Sequence, residues 1–299
     1  MEKLSLYLLT AIFAVLFASC QKVDLSEDGG QSDDANNVTF RIVRIEETPF
    51  SSAKASRSQD IAQLCTRINV AIYKNSERVK SISQKSGDKD FGTVSLSLEA
   101  GTYRVVILAH SQEKSPTMTD AEKIGFNSDM SDTFLWSEKV TVEDGGDNEV
   151  DVDMHRVVAK IRIISKDNVP NNVARLKFYY TGGSSTINAL TGKGCVNSKQ
   201  TVEYMISDNM KGKPATFELY TFPKADNSTV KMEVTAYDAT DTKLGEMTIT
   251  DIPVKVNTCA SCEGDIFSSI SGGGGSIGSS GTKFRLTTDD EWVYENYTF

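Results

Sequence analysis

The sequence predicts an all-β protein built as two β-sandwiches in tandem. Apolar and polar residues alternate in short runs of period two, the pattern of half-buried antiparallel strands. Helical periodicity is scarce among the 299 residues, and clusters of Gly, Asn, Asp and Ser break the runs at close intervals, as in β-sandwiches. Roughly 260 residues follow the N-terminal segment, the size of two ordinary domains.

Val38, Phe40 and Ile42 alternate, as do Ile68, Val70 and Ile72. Val94, Leu96 and Leu98 run into the turn Glu99-Ala100-Gly101, and Tyr103, Val105 and Ile107 return, which predicts a hairpin. Val140 and Val142, a turn over 143–148, and Val150, Val152 and Met154 predict a second. The run 157–163 then alternates again and pairs elsewhere. In the second half the alternating sets are Leu176, Phe178 and Tyr180; Phe217 and Leu219; Met232, Val234 and Ala236; Met247 and Ile249; and Ile252, Val254 and Val256. Residues 113–124 and 190–198 are polar and predict loops. The expected division is 38–156 for the first sandwich and 157–268 for the second.

The N-terminus carries a thin positive charge at Lys3 and an apolar run over 6–17, a secretory signal too short to span a bilayer as a permanent helix. The segment Leu16-Phe17-Ala18-Ser19-Cys20 resembles the lipobox of bacterial lipoproteins, in which the thiol is acylated and becomes the first residue of the mature protein. Residues 1–19 are then the signal peptide, and Cys20 is the candidate lipid-attachment (palmitate) residue. Residues 20–37 follow as a flexible tether, with Asp24, Glu27, Asp28, Asp33 and Asp34 against Lys22 alone. This acidic stretch also resembles the surface-export signal of some Gram-negative lipoproteins, a plain solvated linker being the alternative.

A net charge of −9 and a pI near 4.9 argue against nucleic acid as a partner. Cys259-Ala260-Ser261-Cys262 has the spacing of a redox pair or half a zinc site. Zinc lacks a second ligand pair, since His110 and His155 are not in ligand-like spacing, and a redox pair wants a βαβ setting. A structural role or a local disulfide fits better, and no metal or other cofactor is expected. His110 and His155 stand at strand ends and read as surface or edge imidazoles. The glycines at 272–275 lack the Lys-Ser/Thr of a phosphate loop, and the Gly-x-Ser-x-Gly match at 274–278 lies in a linker. Asp151, Asp153 and Asp289-Asp290-Glu291 read as solvated charge. The chain does not read as an enzyme.

Residues 269–299 differ in kind. A Gly/Ser linker over 269–282 precedes an amphipathic segment in which Phe284, Leu286, Trp292, Tyr294, Tyr297 and Phe299 alternate with polar residues. Such a segment either swings into a groove on another chain as a donor strand or docks on its own second sandwich as an edge strand.

The order of these features, with Phe134-Leu135-Trp136-Ser137, Arg156-Val157-Val158-Ala159-Lys160-Ile161, and the run 252–257 leading to Gly264-Asp265-Ile266-Phe267, resembles the fimbrillin-like lipoproteins. These are the shaft, anchor and accessory subunits of type V pili. The resemblance covers nearly the whole mature chain, and the anchor branch is the nearest variant. It implies transthyretin-like Greek-key sandwiches, strand donation to and from other fimbrial subunits, an outer-membrane lipid anchor, and adhesion at the cell surface to a host or bacterial receptor. In shaft subunits a protease cuts after an arginine that follows the first strand, and the next subunit's C-terminal segment fills the groove left behind. Anchor subunits keep that strand. The polar stretch 48–58 makes Arg57 or Lys54 the accessible candidate for such processing, whereas Arg41 and Arg44 lie within the strand. An uncut loop is the alternative. A competing reading is a lipid-anchored glycan- or ligand-binding surface protein of a nutrient-uptake system, with Trp136, Tyr179, Tyr180 or Trp292 stacking on sugars. Against it, the aromatics alternate as core or donor positions instead of clustering in a loop.

Overall fold

The computed structural model describes residues 35–45, 61–127, 129–145, 148–271, 276–277 and 284–289. The first half contains β1 (Ala35–Ile45), β2 (Arg67–Lys74), β3 (Glu77–Lys85), β4 (Thr93–Glu99), β5 (Gly101–His110), β6 (Ile124–Gly125), β7 (Thr133–Val142) and β8 (Asn148–Arg156). The second contains β9 (Ala159–Ser165), β10 (Arg175–Thr181), β11 (Thr186–Asn188), β12 (Lys193–Gly194), β13 (Gln200–Met205), β14 (Thr216–Thr221), β15 (Ser228–Tyr237), β16 (Lys243–Val254), β17 (Cys259–Gly264), β18 (Ser276–Ile277) and β19 (Phe284–Asp289). The fold is all-β, in the sandwich class that the alternation predicts. β1 starts at Ala35, three residues before the first apolar residue of its run.

In the first half the strands follow the order β3-β2-β5-β7-β8-β1-β4 and wrap a core of Val38, Phe40, Ile68, Val70, Val105 and Ile107 among others. In the second half a five-stranded sheet, β13-β10-β15-β16-β18, faces a four-stranded one, β14-β9-β17-β19. Between them lie Ile161, Ile163, Phe178, Phe217, Val234 and Ile252.

Neither predicted hairpin in the first half is one. β4 pairs with β1, while β5 pairs with β2 and β7, so the turn at Ala100 is an arch that carries the chain from one layer to the other. Gly101 takes φ +149°, and the Tyr103 hydroxyl donates to the Glu99 carbonyl at 2.9 Å, which closes the crossover. Val94 and Leu98 thus face Tyr103 and Val105 across the core instead of lying beside them. The second pair of strands likewise splays: β7 stays with β5 and β8 crosses to β1. The two strands rejoin only where Phe134 opposes Arg156 and Leu135 opposes His155. The sets 247/249 and 252/254 belong to one strand. A bulge at Asp251, φ +59°, absorbs the change of frame between them.

A third apolar cluster lies where the two halves meet. Ala71, Tyr73, Val106, Leu108 and Leu135, on the outer face of the first sheet, pack with Val157, Val158, Ile187 and Phe222. A small three-stranded sheet, β12-β11-β6, takes one strand from the first half and two from the second. The polar stretches predicted as loops supply β6 and β12.

Candidate strand-exchange site

The first strand is held on both edges. β1 runs antiparallel to β4, with Val38 opposite Leu96 and Phe40 opposite Val94, and parallel to β8, with Phe40 opposite Val150 and Ile42 opposite Val152. Val38, Phe40 and Ile42 point into the core, and each such side chain contributes about 2 kcal/mol on burial. A bulge at Val43, which is 52% exposed, then shifts the frame so that Ile45 turns inward and Arg44 outward. Arg44 forks onto Asp153 of β8, with Nε to Oδ1 at 2.7 Å, and holds that carboxyl below its usual range. Thr39 and Ser95 hydroxyls meet at 2.9 Å on the β4 side, and the Gly145 amide donates to Asn36 at 2.8 Å. These polar contacts fix register more than they add stability, since exposed pairs contribute little. Removing β1 would leave a slot between β8 and β4 with main-chain groups exposed on both walls.

At the other end of the chain, β19 lies on the outer edge of the four-stranded sheet. It pairs antiparallel with β17, with Phe284 opposite Gly264 and Leu286 opposite Cys262, and among the described residues no strand lies beyond it. Of the two destinations open to this segment, the structure has the chain's own sheet. β19 is bonded along one edge, whereas β1 is bonded along both. Trp292, Tyr294, Tyr297 and Phe299 lie outside the described residues, as do Cys20, Lys54 and Arg57.

The two motifs behind the family resemblance converge at the junction. Arg156, 2% exposed, grips Asp132 through Nε at 2.8 Å and Nη2 at 2.9 Å, and its Nη1 donates to Asn257 Oδ1 at 2.8 Å. Its guanidinium stands 4.9 Å from the Phe134 ring centre. Asn257 takes φ +58° and donates its backbone N–H to the Val158 carbonyl at 2.9 Å, while the Lys160 amide reaches the Thr258 carbonyl. Buried Lys160 meets Glu218 at 3.2 Å, which Arg162 also contacts; burial lowers the ammonium's pKa while Glu218 opposes the shift. Arg156, Asp132 and Asn257 join the two halves, whereas Lys160, Arg162 and Glu218 tie β9 to β14 within the second.

One sequence expectation fails here, and another narrows. His110 is fully buried, not an edge imidazole: Nε2 donates to Asn69 Oδ1 at 2.7 Å and Nδ1 accepts from the Gln112 amide at 3.1 Å. Burial pushes it down to about 4. Of the two readings left open for Cys259 and Cys262, the structural role fits and the local disulfide does not, since both are free thiols in β17. Residues three apart on a strand point to opposite faces, about 10 Å from each other, beyond the reach of a bridge. Cys262 sits in the core with its thiol pushed up to about 12. Among the described residues no group of three or more His, Cys, Asp and Glu is placed to hold a metal.

Of the sugar-stacking candidates among the described residues, Tyr180 is buried, Tyr179 is half-buried on the other face of β10, and Trp136 packs against the first core beside Phe40, 6.2 Å between ring centres. A shallow cleft of about 440 Å³ between residues 111–114 and 127–131 is lined by polar side chains and Met130, without an aromatic. Sequence reasoning missed β3; its signal was Asn75-Ser76, a two-residue turn with φ of +52° and +69°.

The fold and site define a tandem β-sandwich protein whose first strand is an inserted, doubly bonded element and whose last lies at a sheet edge. The chain belongs to a family of unknown function (DUF6562), whose model matches residues 30–297. No curated protein matches it. Among solved structures it is similar to a candidate adhesin from Bacteroides ovatus (14% identity, TM-score 0.49, covering 76% of this chain and 87% of that one). It is also similar to a candidate cell adhesion protein from Bacteroides eggerthii (12%, 0.46, 86% and 95%) and a candidate adhesin from Bacteroides thetaiotaomicron (13%, 0.47, 89% and 99%).

Proposed function

We propose that this chain is a lipid-anchored, non-enzymatic subunit of cell-surface fimbriae, an anchor or an accessory or shaft component, assembled by strand donation and supporting adhesion. The observation that carries the reading is the position of β1, clamped between β8 and β4 at the start of the fold. It is tied to the remainder through residues 46–60, which contain Lys54 and Arg57. Loss of such a strand opens a slot that an extended donor can fill with main-chain bonds on both sides and side chains in alternate pockets. The C-terminal strand, bonded along a single edge, is the element most readily lent. Cys20 supplies the membrane attachment and the fimbrial neighbours are the partners.

N-terminal sequencing of surface-extracted protein distinguishes the roles. A chain beginning at acylated Cys20 marks an anchor that keeps β1, and one beginning after Arg57 or Lys54 marks a shaft subunit. Deleting residues 281–299 removes oligomer ladders from unboiled gels while leaving a folded monomer. Ladders unchanged by the deletion contradict strand donation from this end.

A further inference from the structure

A seam in the first sandwich carries an inference that does not depend on whether β1 is ever displaced. β3 and β4 stand at the two ends of the seven-stranded order, each bonded through its main chain to one neighbour only. Across the gap the Lys80 ammonium reaches the Ser97 carbonyl, and Gln84 Nε2 reaches the Thr93 carbonyl at 2.8 Å. The donors lie four residues apart on β3 and the acceptors four apart on β4 in the opposite sense, so the strands run antiparallel past each other. Gln84 also bonds the Asp90 carbonyl at 3.2 Å and accepts the Gly92 amide at 3.1 Å. At the open end Lys74 pairs with Glu99 at 3.9 Å. Side chains alone close this edge, and side chains of that length span about the width of one strand.

The seam is open to solvent and cationic. β3 is exposed along most of its length, with Val79 48% exposed. Lys80 reaches across it and Lys74 flanks its end, while Arg78 and Lys85 stand on the other face of β3, opposite Tyr73 and Arg67; against these four cations are Glu77 and Glu99, on a chain whose net charge is −9.

We propose that the β3–β4 seam is a second strand-acceptor site, which takes an extended acidic segment of a partner protein. When Lys80 and Gln84 swing aside, the unpaired edge groups of β3 and the freed carbonyls of β4 bond the incoming main chain. The released ammonium of Lys80, with Arg78 and Lys85, meets the carboxylates. The same lysines repel basic strands and would be buried unpaired by neutral ones, so the edge selects its partner while resisting indiscriminate aggregation.

The test uses the full chain in detergent and two short synthetic peptides, one alternating Val with Glu and the other Val with Lys. The Val/Glu peptide binds saturably, slows amide exchange across residues 77–85 and 93–99, and weakens in high salt. Lys80→Glu, or Arg78→Glu where the first proves unstable, weakens it by about tenfold or more. Gln84→Ala, which removes the latch without changing charge, tightens it. Absence of saturable binding to both the unaltered chain and Gln84→Ala overturns the proposal. Equal binding of the Val/Lys peptide, or protection confined to other strands, does so as well.

Discussion

His110 shows how one residue sets a pH limit on this fold. Burial is the largest cause of its depressed value, Arg67 adds to it, and the bond with Gln112 opposes. The folded state keeps the ring neutral down to about pH 4, whereas the unfolded chain takes up the proton near 6.5. The unfolded state therefore binds more protons between these values. The stabilisation is whole above pH 6.5 and about 3 kcal/mol of it is lost as the pH falls towards 4. Melting temperature should fall across that window, and His110→Gln, less stable at neutral pH, should show a flatter slope. Arg156 is the other residue on which much depends. Arg156→Ala leaves Asp132 and Asn257 facing an empty site and should cost about 3–5 kcal/mol in denaturant unfolding. Arg156→Lys should recover only part, because a point charge cannot reproduce the fork onto Asp132. Among the thiols, Cys195 is exposed, whereas Cys65, Cys259 and Cys262 are buried with their thiols pushed up by desolvation. Maleimide on the native protein should label Cys195 ahead of these three, and denaturation should make all four equivalent.

At the scale of elements, bonding along one edge or two determines how readily a strand leaves. Amides of β19 should exchange with solvent well before those of β1, whose neighbours lie on both sides. Equal protection of the two would contradict this order. Most strands with an apolar face were legible, as in β5, β10 and β15, but β13, with only Val202 and Tyr204 turned inward, was missed. β3 escaped because its outward polarity is that of an edge, and β17 because Cys259, Ala260, Ser261 and Cys262 are small on both faces. Partner choice was less legible still. Period two is the same whether the next strand lies beside or across the core, so the arch at Ala100 read as a hairpin. The candidate site was legible in part: β1 and the junction motif from Arg156 to Ile161 stood out, but not that Arg156 and Asn257 would meet, since 101 residues separate them.

At the scale of the whole molecule, the two halves from Asp34 onward form one compact unit. The direct passage from Arg156 through Val157 and Val158 into β9, the shared three-stranded sheet and the third apolar cluster leave no flexible linker between them. Such a joint couples the two halves mechanically, as the proposed fibre subunit would require. The most direct test is cross-linking mass spectrometry on intact surface material from cells carrying isotopically light and heavy copies of this chain, with fimbrial partners identified in the same spectra. The account predicts cross-links from residues 284–299 of one subunit to β4 or β8 of another. Links from that segment confined to β17 of the same copy, with no multimer on unboiled gels, would contradict it.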